Sequence, residues 1–229
     1  MKIINYFIDS LYKVDNHETV PYYLEIKTKD YINILSVKDI EIILKFIIHS
    51  KHPVDCFKYL KKNKLLDRIF PYLNRLVKIP QKKHKTKNAF AHTMNVLELI
   101  GEENIDLRWV ALFHDLGKYD SYVKYGNFKN HALYSYQLSL GLCKMYNIPH
   151  SEKICTIVKN HMFPLDYQRN PNWTKKAVNN FIDRVGGKYA VDTVSFSYYD
   201  KKSENDIREF LQSILDLKER VYKICHQKK

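Results

Sequence analysis

Adjacent imidazole and carboxylate side chains stand at the end of an apolar stretch, where residues 113–118 read Phe-His-Asp-Leu-Gly-Lys. Both His114 and Asp115 are of types that bind divalent metal ions. Upstream, His92 shares a helical face with Val96 and Leu99, so we expect its ring to point into the protein. These residues are candidates for a metal site.

A further histidine, His161, follows Ile154, Ile157 and Val158 at helical spacing and should also point inwards. A single histidine of this kind more often makes a structural hydrogen bond than binds a metal, so the prediction depends on the whole set. A mixed His/Asp site with open coordination positions polarises a phosphoryl oxygen and activates water. The set therefore indicates hydrolytic chemistry.

Helical periodicity dominates after residue 36, and only six glycines and seven prolines interrupt the chain, which predicts an all-α protein. Ser36 and Asp39 form a capping-box pattern that begins a helix ending near residue 49. Pro53 suits the first turn of a helix through residue 62. A short third helix should end near residue 70, because the ring of Pro71 cannot enter a helix interior. These helices form a small N-terminal neck.

Longer helices from residue 88 onward predict a compact bundle, with Gly186 as a stop signal. The predicted spans are 88–100, 106–115, 131–146, 151–161, 174–185, 188–200 and 204–225. The lysine-rich segment 78–87 is the predicted junction, which divides the chain into an N-terminal segment and neck at 1–80 and a bundle at 81–229. Residues 22–28 have β character and predict a strand or an extended arm.

A net charge of +13 favours polyanionic partners, namely a nucleotide or RNA, although a generally basic surface explains the charge equally well. No secretory signal and no run of the ~20 apolar residues needed to span a bilayer is present, which predicts a cytoplasmic protein without a membrane partner. The four cysteines have no zinc-site spacing and are expected to be free thiols.

The order His92, then His114-Asp115, then a distant Asp200 resembles the H…HD…D signature of HD-superfamily metal-dependent phosphohydrolases. The resemblance predicts an HD-domain helical bundle behind the neck. Residues 53–204 are also similar to the neck and HD region of bacterial CCA-adding tRNA nucleotidyltransferases. The similar segments are 66–73, Gln81 with His84, 90–93, 113–118, 128–132, 157–161, 181–186 and Tyr199 with Asp200. Residues 1–52 supply no nucleotidyltransferase head, so we do not expect nucleotide addition.

The resemblance implies that the primary ligands of a divalent ion, whether Mn, Ni, Co, Fe or Mg, are His92, His114, Asp115 and Asp200. His131 and His161 match the extra histidines of two-metal members. They leave two interpretations open: a dinuclear site, or, slightly preferred, a mononuclear site whose extra histidines bind the phosphate. Because a tyrosine precedes Asp200 where relatives usually have a small residue, Asp192 is the alternative last ligand.

Basic residues near these ligands are assigned to the substrate. Lys118 would act in catalysis with Asp115 by neutralising phosphate charge. Alternatively, it would only interact favourably with the dipole at a helix C-terminus. With the segment 78–87, the residues predicted to follow an RNA backbone are Lys175, Lys176 and Arg184. Those that could stack a terminal base are Tyr122, Tyr125 and Phe128, although aromatic residues at this density more often form a core.

In the CCA-adding family the HD region is associated with 2′,3′-cyclic phosphodiesterase and phosphatase activity on nucleotides and RNA ends. The first hypothesis is therefore hydrolysis of ribose phosphates on nucleotides or on RNA, including tRNA, 3′ ends. A second is hydrolysis of a free nucleotide, such as a nucleoside monophosphate, a cyclic nucleotide or an alarmone. A third is an RNA-binding module whose HD site is vestigial.

Overall fold

The computed structural model describes residues 2–81, 87–169, 173–204 and 208–227. Every regular element in these ranges is a helix, and a single isolated bridge pairs Pro80 with Asn88. The prediction of an all-α bundle is confirmed. In the same ranges, no helix is both long enough and apolar enough to cross a membrane.

The N-terminal part of the chain consists of short helices joined by tight connections. These are α1 (Ile3–Asp15), α2 (Tyr22–Tyr31), α3 (Val37–His49), α4 (Pro53–Lys62), α5 (Leu66–Ile69) and α6 (Pro71–Arg75). The strand or extended arm expected at 22–28 was wrong, since these residues belong to α2. Leu24 and Thr28 lie one helical turn apart and are both buried, so packing of one helical face outweighs the β propensity of the segment.

Local signals set the ends of the neck helices as predicted. The Asp39 amide donates to Ser36 Oγ at 3.2 Å, and the Ser36 amide donates to Asp39 Oδ2 at 2.9 Å, which completes the capping box of α3. Pro53 is the first residue of α4 and Pro71 the first of α6, positions where the missing amide hydrogen of proline costs nothing.

The bundle helices follow from residue 89. They are α7 (Ala89–Glu98), α8 (Ile105–Phe113), α9 (Lys118–Tyr125), α10 (His131–Met145), α11 (Ser151–Asn160), α12 (Phe163–Arg169), α13 (Lys175–Val185), α14 (Gly187–Lys202) and α15 (Arg208–Gln227). Seven of them were predicted, whereas α9 and α12 were not. Gly186 ends α13 with φ of +70°, a conformation that glycine adopts without strain.

Two clusters of buried side chains form the interior. The larger takes residues from both the neck and the bundle, including Phe7, Phe57, Trp109 and Ile157. The smaller cluster contains residues of α12, α13, α14 and α15. The division into 1–80 and 81–229 therefore stays a prediction, and part of the proposed junction, residues 82–86 with His84, lies outside the described residues.

One buried arginine connects the neck to the bundle. Arg108 on α8 donates from Nη1 to the carbonyls of Ile48 at 2.9 Å and Ser50 at 2.7 Å, at the end of α3. Its Nε donates to the carbonyl of Ile100 at 3.1 Å, just after α7. The guanidinium thus satisfies carbonyl groups that two helix ends leave without intrahelical partners. It fixes α7 and α8, which carry the candidate ligands, against α3.

Candidate metal centre

Five bundle helices bring six candidate ligands together in the interior. The residues are His92 on α7, His114 and Asp115 after α8, His131 at the start of α10, His161 after α11 and Asp200 on α14. All six are buried, with exposed fractions between 1% and 7%. Buried groups of this polarity require close partners, and here the partners are one another.

The first group of ligands contains His92, His114 and Asp200. His92 Nε2 lies 2.9 Å from Asp200 Oδ1 and 3.4 Å from His114 Nε2. His114 Nε2 lies 3.8 Å from the same oxygen of Asp200. The three ligand atoms all lie within 4.8 Å of one another, close enough to share one ion.

The second group contains Asp115, His131 and His161. His131 Nε2 lies 3.3 Å from His161 Nε2 and 3.5 Å from Asp115 Oδ1. The other oxygen of this carboxylate, Asp115 Oδ2, lies 3.2 Å from His114 Nε2. A single carboxylate therefore faces both groups, one oxygen toward each.

Backbone carbonyls fix the orientation of three of the imidazole rings. His114 Nδ1 lies 2.8 Å from the Ala111 carbonyl oxygen, and His131 and His161 make the same i−3 contact at 2.9 Å and 2.7 Å. Because a carbonyl oxygen only accepts, Nδ1 must carry the hydrogen in each ring. In the neutral imidazole, Nε2 then presents its lone pair to the centre, as a metal ligand requires.

The fourth ring is held by Ser203, which the sequence analysis missed. Ser203 Oγ donates to the carbonyl of Asp200 at 2.6 Å and lies 3.2 Å from His92 Nδ1. Since its hydrogen is committed to that carbonyl, the hydroxyl oxygen accepts from His92 Nδ1. The only available signal was a serine three residues after a candidate ligand, which is too common to be specific.

The spacing of residues along α14 explains how this helix contributes to the site. Phe196 packs its ring 5.3 Å from that of His114, Ser197 donates to the His161 carbonyl at 2.8 Å, and Asp200 lies one turn further on. The alternative ligand Asp192 lies elsewhere and forms an ion pair with Lys153 at 2.9 Å. The structure thus brings Asp200, and not Asp192, to the other ligands.

Lys118 adds a positive charge to this centre. Its Nζ lies 2.5 Å from Asp115 Oδ2, and only 8% of the residue is exposed. Lys118 is the first residue of α9 and therefore lies at a helix N-terminus. The alternative, a lysine that interacts with the dipole at a helix C-terminus, is wrong. With neutral imidazoles, two carboxylates and one ammonium leave a net negative charge in a buried site, which a cation would neutralise.

The pKa shifts show how the charged groups of the centre act on one another. Burial lowers the pKa of His114, but Asp115 and Asp200 outweigh it and raise the pKa above its ordinary value. Burial raises the pKa of Asp115, but His114 and Lys118 outweigh it and hold the pKa well below its ordinary value. Burial likewise raises the pKa of Asp200, and the His92 ring, whose Nε2 lies 2.9 Å away and donates when the ring is protonated, outweighs burial and lowers the pKa. Burial lowers the pKa of His161 to about 3, with the charges of neighbouring histidines acting in the same direction. Both carboxylates are ionised and His161 is neutral at neutral pH.

The arrangement fits a bound divalent ion. Asp115 Oδ2 and Asp200 Oδ1 are buried, and the groups beside them are imidazole Nε2 atoms and, for Asp115, the Lys118 ammonium. Buried carboxylate oxygens that face the lone pairs of neutral imidazoles are costly unless a cation binds them. Oxygen and imidazole donors together suit a borderline divalent metal.

The residues assigned to substrate differ in how close they come to the centre. Arg184 donates from Nε to Asn160 Oδ1 at 3.2 Å, and its guanidinium lies 3.7 Å from the ring centroid of Phe163. Asn160 is buried and directly precedes the candidate ligand His161 in the chain. Lys175 and Lys176 are exposed in the first turn of α13, and no described contact links them to the ligands.

An aromatic pair lies beside Lys118. The Phe128 ring centroid is 5.2 Å from Lys118 Nζ, and the Tyr122 ring is 6.2 Å from that of Phe128. Tyr122 and Tyr125 are each 38% exposed, whereas Phe128 is half-buried. The pair presents an accessible aromatic surface close to the charged end of the site.

An all-α bundle that gathers histidines and aspartates around a buried cation site defines a metal-binding class of protein. Comparison with known families gives the particular one: residues 89–217, more than half of the chain, match the family model described as HD domain. The chain therefore belongs to the HD domain family, a superfamily of metal-dependent phosphohydrolases that use divalent ions. No curated protein matches the chain.

Proposed function

We propose that this phosphohydrolase acts on ribose phosphates and that its substrates are 2′,3′-cyclic phosphates of nucleotides or of RNA 3′ ends, including those of tRNA. The observation that carries the proposal is the convergence of six buried ligands beside Lys118 in an HD fold. The ordered similarity of residues 53–204 to the neck and HD region of CCA-adding enzymes supports this substrate class.

The first group of residues, with Asp115, would hold one divalent ion, whether Mn, Ni, Co, Fe or Mg. Such an ion supplies Lewis acidity toward a phosphoryl oxygen and lowers the pKa of water. The roles of the protein are to fix the ligands by their Nδ1 hydrogen bonds and to exclude bulk water from the buried centre. Asp115 would contribute to both groups if each holds an ion, because one of its oxygens lies toward each group.

The orientation of His131 and His161 favours the two-ion interpretation over phosphate binding. Their Nδ1 hydrogens are donated to the carbonyls of Phe128 and Val158, so each neutral ring offers only a lone pair at Nε2. A phosphate oxygen also offers only lone pairs and cannot be bound by such a nitrogen. Two such nitrogens 3.3 Å apart could both serve as ligands of one cation.

Lys118 and the aromatic pair would bind the rest of the substrate. An ammonium group has three N–H donors, so Lys118 can keep Asp115 ionised while donating to a phosphate oxygen. The Tyr122 and Phe128 rings would stack the base attached to the ribose. Arg184, whose Nε donates to Asn160 Oδ1, would contact a neighbouring phosphate.

The test is hydrolysis of 2′,3′-cyclic AMP by metal-stripped protein refilled with each candidate ion in turn. Turnover should return with metal in the wild type and vanish in Asp115→Ala, because this variant loses the carboxylate that both groups share. Asp192→Ala is the matched control, since it removes a surface aspartate of α14 and should keep full turnover. Failure of every ion to restore turnover would remove the ribose-phosphate proposal.

A free nucleotide is the second candidate, favoured by an aromatic pair no larger than one base requires. The salt dependence of substrate binding distinguishes an RNA substrate from a free nucleotide. Binding of an RNA substrate should weaken steeply with rising salt because several counterions are released, whereas binding of a mononucleotide should change little.

A further inference from the structure

A groove lined by lysines lies between α4 and the start of α7. Lys58, Lys61 and Lys62 come from α4, and Lys87 stands two residues before α7. The groove has a volume of about 530 Å³, within the range of ligand-binding clefts. Among its described lining residues, none carries a carboxylate. Four positive charges therefore face a common concave surface.

The floor of the groove is apolar and recessed. Phe90 and Met94 line it and are only 4% and 3% exposed. Lys61 Nζ lies 4.6 Å from the Phe90 ring centroid, a cation–π contact that holds this lysine along the wall. Lys58 pairs with Asp55 at 3.3 Å, but both side chains are well exposed, so the pair has little strength and leaves the groove positive.

We propose that this groove binds the phosphate backbone of single-stranded RNA and guides the strand whose 3′ end is the substrate. The claim that the strand's 3′ end is the substrate rests on the function proposed above, whereas the claim that the groove binds RNA is independent of it. Lys58, Lys61 and Lys62 stand at i, i+3 and i+4, so their ammonium groups share one helical face and can contact successive phosphates. A bilayer surface would need protruding apolar side chains, and those of this groove are recessed.

The position of the groove relative to the metal centre supports the same partner. Ala91 lines the groove, and the next residue of α7 is the candidate ligand His92. Groove and metal centre therefore use neighbouring faces of one helix.

The experiment compares RNA binding by the full chain and by the triple variant Lys58→Gln, Lys61→Gln and Lys62→Gln. The probe is a short fluorescent single-stranded RNA ending in a 2′,3′-cyclic phosphate, and anisotropy is measured at increasing KCl. We expect at least about tenfold weaker binding at low salt, and a slope of log K against log salt smaller by about 2, since each lost phosphate contact removes about 0.7. Unchanged affinity and slope would overturn the proposal.

The matched control carries Lys29→Gln, Lys144→Gln and Lys223→Gln, which remove the same charge from α2, α10 and α15 outside the groove. An equal loss in this control would overturn the proposal in favour of a general positive field. Loss of binding to anionic phospholipid vesicles, with RNA binding retained, would also overturn it. Turnover of 2′,3′-cyclic AMP reports separately on the metal centre, so its absence in the wild type removes the proposed function and leaves the binding comparison intact.

Discussion

At the scale of single residues, the site depends on atoms other than the candidate ligand atoms. The hydrogen on Nδ1 fixes the orientation of each imidazole ring. His114, His131 and His161 donate it to backbone carbonyls, and His92 donates it to the hydroxyl of Ser203. These outer hydrogen bonds determine which nitrogen carries the lone pair and where it points. The affinity for metal should therefore respond to residues that never touch it.

Ser203→Ala tests this dependence directly. The substitution removes the oxygen that accepts from His92 Nδ1, so the ring loses its fixed orientation and metal affinity should fall about 10–100-fold. A chelator competition titration measures the change. The control is Ser195→Ala, which removes an α14 hydroxyl bonded only to the Val191 carbonyl among the contacts described. Equal affinity in wild type and Ser203→Ala would contradict the assigned hydrogen bond.

His131→Gln tests the two-ion interpretation. If Asp115, His131 and His161 hold an ion, elemental analysis should find two ions per chain in the wild type and about one in the variant, because the second group loses a donor. His150→Gln, at an exposed histidine paired with Asp106, should keep both ions. One ion in wild type and variant alike would favour the mononuclear site.

Much of the ligand set could be predicted from the sequence, but its partners could not. The order of His92, His114, Asp115 and Asp200 was enough to select them, and the structure brings the side chains of all four within 4 Å of a neighbour in the set. The contacts of Ser203 depend on where α7 and α14 meet, which no local pattern records. The same holds for the placement of one carboxylate between two groups of histidines.

At the scale of elements, the turn after α8 has almost no tolerance for added volume. Gly117 donates from its amide to Ser135 Oγ at 2.9 Å, which pins the turn to α10. A Cβ at residue 117 would collide with backbone atoms of His131 and Ser135. Because backbone cannot move aside as a flexible side chain can, α10 would have to shift and carry His131 with it.

Gly117→Ala should therefore lower the free energy of unfolding by about 1–3 kcal/mol and reduce metal content, through overpacking against α10. Gly141→Ala is a matched control on α10, where a Cβ meets nothing within 4 Å. In a helix interior that change should stabilise by about 0.5–1 kcal/mol. Urea unfolding and elemental analysis give both quantities, and equal stability of the two variants would contradict the close contact.

Element prediction succeeded where a cap or a long apolar face marks the helix, as in α3 and α11. It failed for α2, whose Tyr22–Tyr31 sequence is dominated by aromatic and β-branched residues but packs on α1 by one helical face. Helices α9 and α12 have fewer than nine residues each. So short a segment carries too few turns for its periodicity to be distinctive.

At the scale of the whole molecule, the neck is part of the interior that supports the site. Residues as far apart as Phe7 and Phe196 belong to one buried cluster, and Phe196 packs on His114. The family match begins at residue 89, yet side chains before that position contribute to the same cluster. The strength of the connection between neck and bundle should therefore be measurable as stability of the full chain.

Arg108→Met isolates that connection. The substitution preserves much of the side-chain volume but leaves the buried carbonyls of Ile48, Ser50 and Ile100 without their donor. Each unsatisfied buried group costs about 1–3 kcal/mol, and partial relaxation should bring the total loss in the free energy of unfolding to about 2–4 kcal/mol. Urea denaturation of the full chain measures it.

Arg75→Met is the control, because this arginine is exposed and described only in ring contacts with Tyr72 and Tyr119. Its loss should cost less than about 1 kcal/mol. If Arg108 holds α3 against the helices that carry the ligands, the Arg108 variant should also release metal at lower urea than the wild type does. Loss of stability equal to that of the control would mean that the shared apolar cluster alone joins neck and bundle.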